Sequence, residues 1–248
     1  MKVLILAAGY GTRLYPLIKD LPKALLNVQN KPIINYILNT IKSMEGLDEV
    51  LVVTNNKFEK VFWEWAKERK SDFPHKITII NDGTDTPEQR LGSIGDIRFA
   101  LKAANVQDDV LVVGSDNLFN FNIKEFLAFC KQKSPEVTIG LYDINSLEEA
   151  KKFGVVGLDQ NQKINSFEEK PAQPKSTLIA MCFYYLPKKS LGLIEQYLVE
   201  SKKSDTAGDY IRWLHEKNNV FGFKFSGKWY DIGSIEAYKD AEEHFGEK

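Results

Sequence analysis

The sequence predicts an α/β protein, a three-layer α/β/α sandwich built around a mostly parallel mixed sheet. Three observations carry that prediction. Short β-branched apolar runs recur at Val3–Leu6, Val50–Val53, Ile77–Ile80 and Val110–Val113, and unbroken apolarity suits strands covered on both faces. Segments with helical spacing lie between them, and strands alternating with helices build a parallel sheet through crossover connections. No Pro/Ser/Gly-rich linker divides the 248 residues, a length ordinary for one α/β domain.

In chain order, the first strand stops at Ala7 and Ala8. A glycine-punctuated loop follows, Gly9-Tyr10-Gly11-Thr12-Arg13, with Pro22-Lys23 ten residues later. Ile33, Tyr36, Ile37 and Ile41 recur at i, i+3, i+4 and i+8 behind Pro32, which suits a first helical position. Phe58, Val61, Phe62 and Trp65 outline a second helix, and Ile94, Ile97, Leu101 and Ala104 a third. The second half changes character. Val137–Tyr142, Val155–Leu158, Ile164–Phe167 and Leu178–Leu186 read as longer strands joined by turns such as Asp159–Gln162. Helices are expected near Leu147–Lys152, Ser190–Glu200, Asp209–Lys217 and Ile235–His244. The whole chain reads as one domain, a nucleotide-binding half to about residue 120 and a substrate half from about 121 to 248.

Composition narrows the function classes. Hydrophobic content of 43% and charged content of 27% are those of a globular protein. With 33 basic and 34 acidic residues the net charge is −1, which gives no support to nucleic acid as partner. Val3–Ala8 is far too short to span a bilayer, and no signal peptide is expected. Cys130 and Cys182 lack metal-ligand spacing and read as buried thiols in a reducing, cytoplasmic compartment.

Glycines after a buried strand let backbone N–H groups close on phosphate oxygens. Arg13, a planar fork, and Lys23, a point charge, could neutralise the same polyanion. A dinucleotide fingerprint would place a third glycine at position 14, which is Leu14, and an acid after the second strand, where Thr54-Asn55 stands. The Gly-x4-Gly-Lys-Ser/Thr phosphate loop is absent as well. Taken alone, Asp116-Asn117 reads equally as a strand-end turn and Asp231-Ile232-Gly233 as a loop leading into a helix.

The full string Leu6-Ala-Ala-Gly-Tyr-Gly-Thr-Arg-Leu-Tyr-Pro16 with Pro22-Lys23 is more specific. It resembles the sugar-1-phosphate nucleotidylyltransferases, whose signature is close to L-A-A-G-x-G-T-R-L-x-P…P-K-x-L. The likeness continues, in the family's order, at Ser115–Phe119, Phe153–Val156, Glu168–Pro171 and Trp229–Gly233. Within the family the chain is most similar to the short glucose-1-phosphate thymidylyl- and uridylyltransferases. The resemblance implies a Rossmann-like, nucleotide-diphospho-sugar transferase fold and a Mg²⁺-dependent reaction. An oxygen of a sugar 1-phosphate would attack the α-phosphorus of an NTP, dTTP or UTP by preference, and pyrophosphate would leave.

By the same resemblance Arg13 would contact the triphosphate and leaving pyrophosphate, and Lys23 the α-phosphate and incoming phosphate. Leu6, Ala8, Gly9, Gly11 and Thr12 would hold base, ribose and phosphates, with Asn81 and Gly92 as further nucleotide contacts. Asn117, Gly154, Glu169 and Lys170 would bind the sugar phosphate, and Asp116 with Asp231 the metal, since Mg²⁺ takes one or two carboxylates. Two departures from the thymidylyltransferase pattern bear on specificity. The Asn81–Asp96 segment is longer than the usual base-reading loop, and Ala180-Met181 stands where Thr-Gly is usual. The expected partners are an NTP and a sugar 1-phosphate, with room for a homo-oligomer. No hexapeptide repeat is present, so a β-helix tail with acetyltransferase activity is not expected. The rivals are the same reaction with CTP or GTP and another sugar phosphate, a catalytically silent nucleotide-sugar sensor on the same fold, and an NAD-dependent oxidoreductase.

Overall fold

The structure is a computed structural model that describes residues 1–18, 20–201 and 206–246. In chain order the elements are β1 (Lys2–Leu6), β2 (Asn27–Val28), β3 (Lys31–Pro32), α1 (Ile33–Ile41), β4 (Glu49–Thr54), α2 (Glu59–Arg69) and β5 (Lys76–Asn81). They continue with α3 (Gly92–Ala103), β6 (Val110–Gly114), β7 (Asn117–Phe119), α4 (Ile123–Lys133), β8 (Val137–Asp143), α5 (Leu147–Ala150), β9 (Gly154–Leu158) and β10 (Ile164–Glu169). The last are β11 (Leu178–Leu186), α6 (Gly192–Glu200), α7 (Ala207–Lys217), β12 (Val220–Lys224), β13 (Trp229–Asp231) and α8 (Ile235–His244). The α/β class read from the sequence is the class observed.

The chain divides into two compact units interleaved along the sequence. The first comprises Met1–Leu91, Val113–Ile123 and Gly227–Lys248, and the second Gly92–Val112 and Lys124–Ser226.

In the first unit β1, β4 and β5 pair in parallel, with Val3 opposite Val50, Ile5 opposite Val52 and Val50 opposite Ile77. Every residue of β4 is buried, which is why its sequence shows no polar alternation. Parallel neighbours require crossover connections, and α1 and α2 supply them. A second cluster gathers Leu14, Ile18, Leu26, Val28, Ile33, Leu118, Ile232, Ala241 and Phe245. It ties the segment after the glycine loop to β7, β13 and α8. The Ser234 side chain caps α8 by accepting the Ala237 N–H at 3.2 Å.

In the second unit β8 pairs antiparallel with β11 and parallel with β12, and β9 pairs antiparallel with β10 and β11. Phe126 of α4 packs its ring 5.1 Å from Phe183, 5.7 Å from Phe223 and 5.3 Å from Phe225. Burying such a ring contributes roughly 1.5–3 kcal/mol. The expected helices near Ser190–Glu200, Asp209–Lys217 and Ile235–His244 are present. β12 and the β7–β13 pair were not foreseen. Gly222 interrupts the apolar pattern of β12, and β7 and β13 have only three residues each.

Among the described residues no helix is long and apolar enough to cross a membrane. Cys130 is buried, and burial pushes its thiol up. Cys182 is only half-buried, against the expectation of two buried thiols.

At the amino-terminal end of β4, Glu49 is buried and gathers Lys2 Nζ at 2.8 Å, Lys76 Nζ at 2.7 Å and the Thr78 hydroxyl at 2.5 Å. Burial pushes the Glu49 carboxyl up, but these three donors outweigh it and hold it at about 2, against an ordinary value of 4.5. A depressed folded-state value stabilises the fold above the ordinary value, and the contribution is lost as pH falls from 4.5 toward about 2. Glu49→Gln should therefore lower the urea midpoint at neutral pH and flatten its decline in that acid window. An unchanged acid profile would show that Glu49 does not carry this part of the pH dependence.

Candidate active site

The glycine loop is held from below by backbone and side-chain bonds. Ala7 N–H donates to Val53 C=O at 2.9 Å, and the buried Asn55 side chain donates to Ala8 C=O at 2.8 Å. Asn55 also accepts the Phe58 N–H at 3.2 Å, so one amide anchors the loop and the approach to α2. Sequence reading treated position 55 only as a missing acid; its signal is a polar side chain just past a fully buried strand. A Cβ at Gly9 would meet nothing within 4 Å, so the backbone there faces open space. Gly11 has φ 62°, and a Cβ there would lie 2.4 Å from Ile18 Cδ1, so both conformation and space call for glycine. Thr12–Leu14 form a 3₁₀ turn in which Thr12 and Arg13 are exposed, while Leu14 is sunk into the second cluster. Leu14 is a core anchor, which explains an apolar residue where the dinucleotide fingerprint wants glycine.

Lys23 follows Pro22 at the start of another 3₁₀ turn, and its Nζ donates to Asp116 Oδ2 at 2.7 Å. Burial pushes the Asp116 carboxyl up, but the Lys23 cation and its hydrogen bond, then a backbone hydrogen bond at Asp116 and lastly the Arg13 charge, more than reverse it, so the group is held below the ordinary carboxylate range. Arg13, Lys23 and Asp116 thus share one electrostatic environment. Ser115 N–H donates to Leu6 C=O at 3.1 Å, placing the Ser115-Asp116 segment beside the end of β1.

Asp231 reaches the same place through the β7–β13 ladder, where it stands opposite Asn117. Ile232 N–H donates to the Asp116 carbonyl at 3.0 Å, so the backbones of the two aspartate segments are hydrogen-bonded neighbours. Asn117 is expected to touch substrate, yet it is 2% exposed. Its Oδ1 accepts the Trp229 indole N–H at 2.8 Å, and its Nδ2 donates to Gly114 C=O at 3.2 Å and Asp116 Oδ1 at 3.1 Å. This is the geometry of a residue that orients Asp116 from behind. Trp229, its partner, is also absent from the sequence-derived site.

Among the described residues no cluster of three or more His, Cys, Asp or Glu forms a metal cage. Two hard carboxylates nevertheless suit Mg²⁺, which fills its remaining positions with water and phosphate. The donor set at Asp116 and Asp231 fits that ion.

Asn81 ends β5, and its amide is committed locally. Nδ2 donates to Asn56 Oδ1 at 2.6 Å and Glu59 Oε2 at 2.9 Å, and Oδ1 accepts the Gly83 N–H at 2.9 Å. The loop beyond is tied to the glycine loop, because Tyr10 OH donates to Thr84 Oγ1 at 3.1 Å and Thr84 is held by buried Asp82. Gly92 belongs to the second unit, where it opens α3 with φ 78°.

The second unit holds its own constellation. Gly154 on β9 pairs with Glu169 on β10, and a Cβ at Gly154 would lie 2.4 Å from the Phe167 ring and 3.1 Å from Glu169 Oε2. Lys170 adopts φ 46°, uncommon for a residue with a Cβ, and its N–H donates to Phe153 C=O at 3.0 Å. Its Nζ lies 4.0 Å from Glu169 Oε1. Burial raises the Glu169 carboxyl and Asp209 adds to the rise, while Lys170 and Arg212 oppose it. Gly154, Glu169 and Lys170 are therefore brought together. Tyr184 and Tyr185 are core residues, at 4% and 6% exposure.

Trp229→Phe keeps the ring and removes the indole N–H, leaving Asn117 Oδ1 buried and unpaired. The loss should be about 1–3 kcal/mol in chemical denaturation. A loss below about 0.5 kcal/mol would show that this bond does not brace the ladder.

Comparison with known proteins places the chain. The nucleotidyl transferase family model matches residues 2–248. A bifunctional protein GlmU from Methanocaldococcus jannaschii is 30% identical over 234 residues, covering 94% of this chain and 51% of that one. A glucose-1-phosphate adenylyltransferase from Fusobacterium nucleatum is 30% identical over 257 residues, covering 96% of this chain and 65% of its own. The chain thus spans less than two thirds of the length of either relative. The crystal structure of a UDP-glucose pyrophosphorylase complexed with UDP-glucose superposes with a TM-score of 0.81 at 24% identity, covering 98% of this chain and 97% of that one, a likeness of fold. By sequence along nearly its whole length, this chain belongs to the nucleotidyl transferase family.

Proposed function

We propose that the chain transfers a nucleotidyl group from an NTP to a sugar 1-phosphate, with dTTP or UTP and glucose 1-phosphate as the favoured pair. The observation that carries this reading is the Lys23–Asp116 ion pair at 2.7 Å, with Arg13 in the same field and the open backbone of Gly9 close by in sequence. Both reactants are anions, so charge repulsion is the first barrier to be offset. A phosphate oxygen of the sugar 1-phosphate forms a bond to the α-phosphorus as the bond to the bridging oxygen of the β-phosphate breaks. Pyrophosphate leaves with the electron pair. No proton transfer is required, which agrees with a site built from fixed cations and backbone rather than a general base.

In this scheme Lys23 leaves Asp116 for the phosphates of the incoming substrates, and Arg13 steadies charge growing on the pyrophosphate. Asp116 and Asp231 would hold Mg²⁺, which supplies charge neutralisation and alignment of the triphosphate oxygens. Glu169 and Lys170 would hold the sugar hydroxyls and phosphate. The committed amide of Asn81 argues for base recognition by backbone groups of the glycine loop rather than by that side chain. A cytoplasmic location is part of the same proposal.

Measuring pyrophosphate release with Mg²⁺, four NTPs and a panel of sugar 1-phosphates tests the proposal. Release from one or a few pairs is expected; none from any pair would favour a nucleotide-sugar sensor. Lys23→Ala should lower kcat/KM by about 10²-fold or more, as loss of a preorganised donor does, and near-normal kinetics would remove Lys23 from the transition state. Asp231→Asn should reduce turnover and shift the Mg²⁺ titration, whereas an unchanged titration would take it out of the metal site.

A further inference from the structure

Gly208 lies in the first turn of α7, and its backbone is not in the left-handed region. Glycine in a helix is worse than alanine by roughly 0.5–1 kcal/mol, so helix formation gives no reason for it. Space does. A Cβ at position 208 would lie 1.9 Å from Glu169 Oε2, 2.4 Å from its Cδ and 3.0 Å from Oε1. All three of these contacts are with the far end of Glu169. Glu169 Oε2 also lies close to Gly154, where a Cβ would come within 3.1 Å. The carboxylate is thus seated against two bare α-carbons, one on β9 and one on α7.

The rest of the turn is fixed around that seat. The Thr206 hydroxyl donates to Asp209 Oδ2 at 2.6 Å and accepts the Asp209 N–H at 3.3 Å, a reciprocal cap. Arg212 donates to Asp209 Oδ1 at 2.6 Å, drawing the Asp209 carboxylate into its own pair.

We infer that Gly208 is a positioning residue for the sugar-binding carboxylate: by lacking a side chain it admits Glu169 to the first turn of α7 and fixes where that carboxylate meets sugar hydroxyls. The inference rests on the proposed function only in what Glu169 binds, not in how it is held. Gly208→Ala should leave the fold intact, because the colliding group is the mobile end of one side chain, and should expel the carboxylate from its seat.

The experiment compares wild type, Gly208→Ala, Glu169→Asp and the double variant. Gly208→Ala is expected to raise KM for the sugar 1-phosphate by about tenfold or more, the scale of a lost hydrogen bond to a charged group. KM for the NTP should stay within about twofold and Tm should not fall, as expected where helix propensity alone favours alanine. On the Glu169→Asp background the same change should add less than about threefold, because the shorter carboxylate no longer reaches α7. A carboxyl-carbon NMR titration gives an activity-independent readout, in which the raised Glu169 value should relax toward the ordinary one in Gly208→Ala. An unchanged sugar KM, an equal effect on both backgrounds, or an unmoved Glu169 titration would overturn the inference. If wild type released no pyrophosphate from any pair, the nucleotidyl-transfer reading would fail by itself. The titration would still decide the role of Gly208.

Discussion

Two strands of three residues hold Asp231 opposite Asn117, the neighbour of Asp116, and a ladder that short is marginal on backbone bonds alone. Side chains make up the difference. The Trp229–Asn117 hydrogen bond joins residues 112 positions apart inside the ladder, and Leu118 and Ile232, both fully buried, pin its apolar side to the cluster beneath the glycine loop. Because Leu14, Ile18 and Leu26 belong to that cluster, the segment carrying Arg13 and Lys23 and the segments carrying the aspartates rest on one core.

Charge is balanced within that arrangement before any substrate arrives. Lys23 and Asp116 neutralise each other at 2.7 Å, with side chains 16% and 30% exposed, so neither ion is stranded away from water. A polyphosphate offers Lys23 a more highly charged partner, and a divalent cation would offer Asp116 one. Exchange of partners on binding costs less than desolvating an unpaired ion. The second unit follows the same logic with less charge, seating Glu169 among glycines and setting Arg212 against Asp209.

What could be read from the sequence was what local physics imposes. Val50–Val53 announces a strand buried on both faces, and Gly11 announces a turn because its conformation and the approach of Ile18 both exclude a side chain. Arg13, Lys23, Asp116 and Asp231 were legible through a family likeness, and the structure brings their segments into one unit. The roles of Asn117, Asn81 and Asn55 were not legible, since an amide reads the same whether it faces a ligand or braces a neighbour. Its meaning lies in partners such as Trp229, Glu59 and Ala8 that no short window contains. Residues 227–246 likewise join the first unit through contacts distant in sequence.

The reverse reaction tests the central claim most directly, because it demands the same bond at the α-phosphorus. Phosphorus NMR of the protein with Mg²⁺, pyrophosphate and UDP-glucose, dTDP-glucose or other nucleotide sugars should show NTP and sugar 1-phosphate rising in equal amounts from at least one of them. Release of inorganic phosphate or a nucleoside monophosphate instead, or no change with any nucleotide sugar, would contradict it.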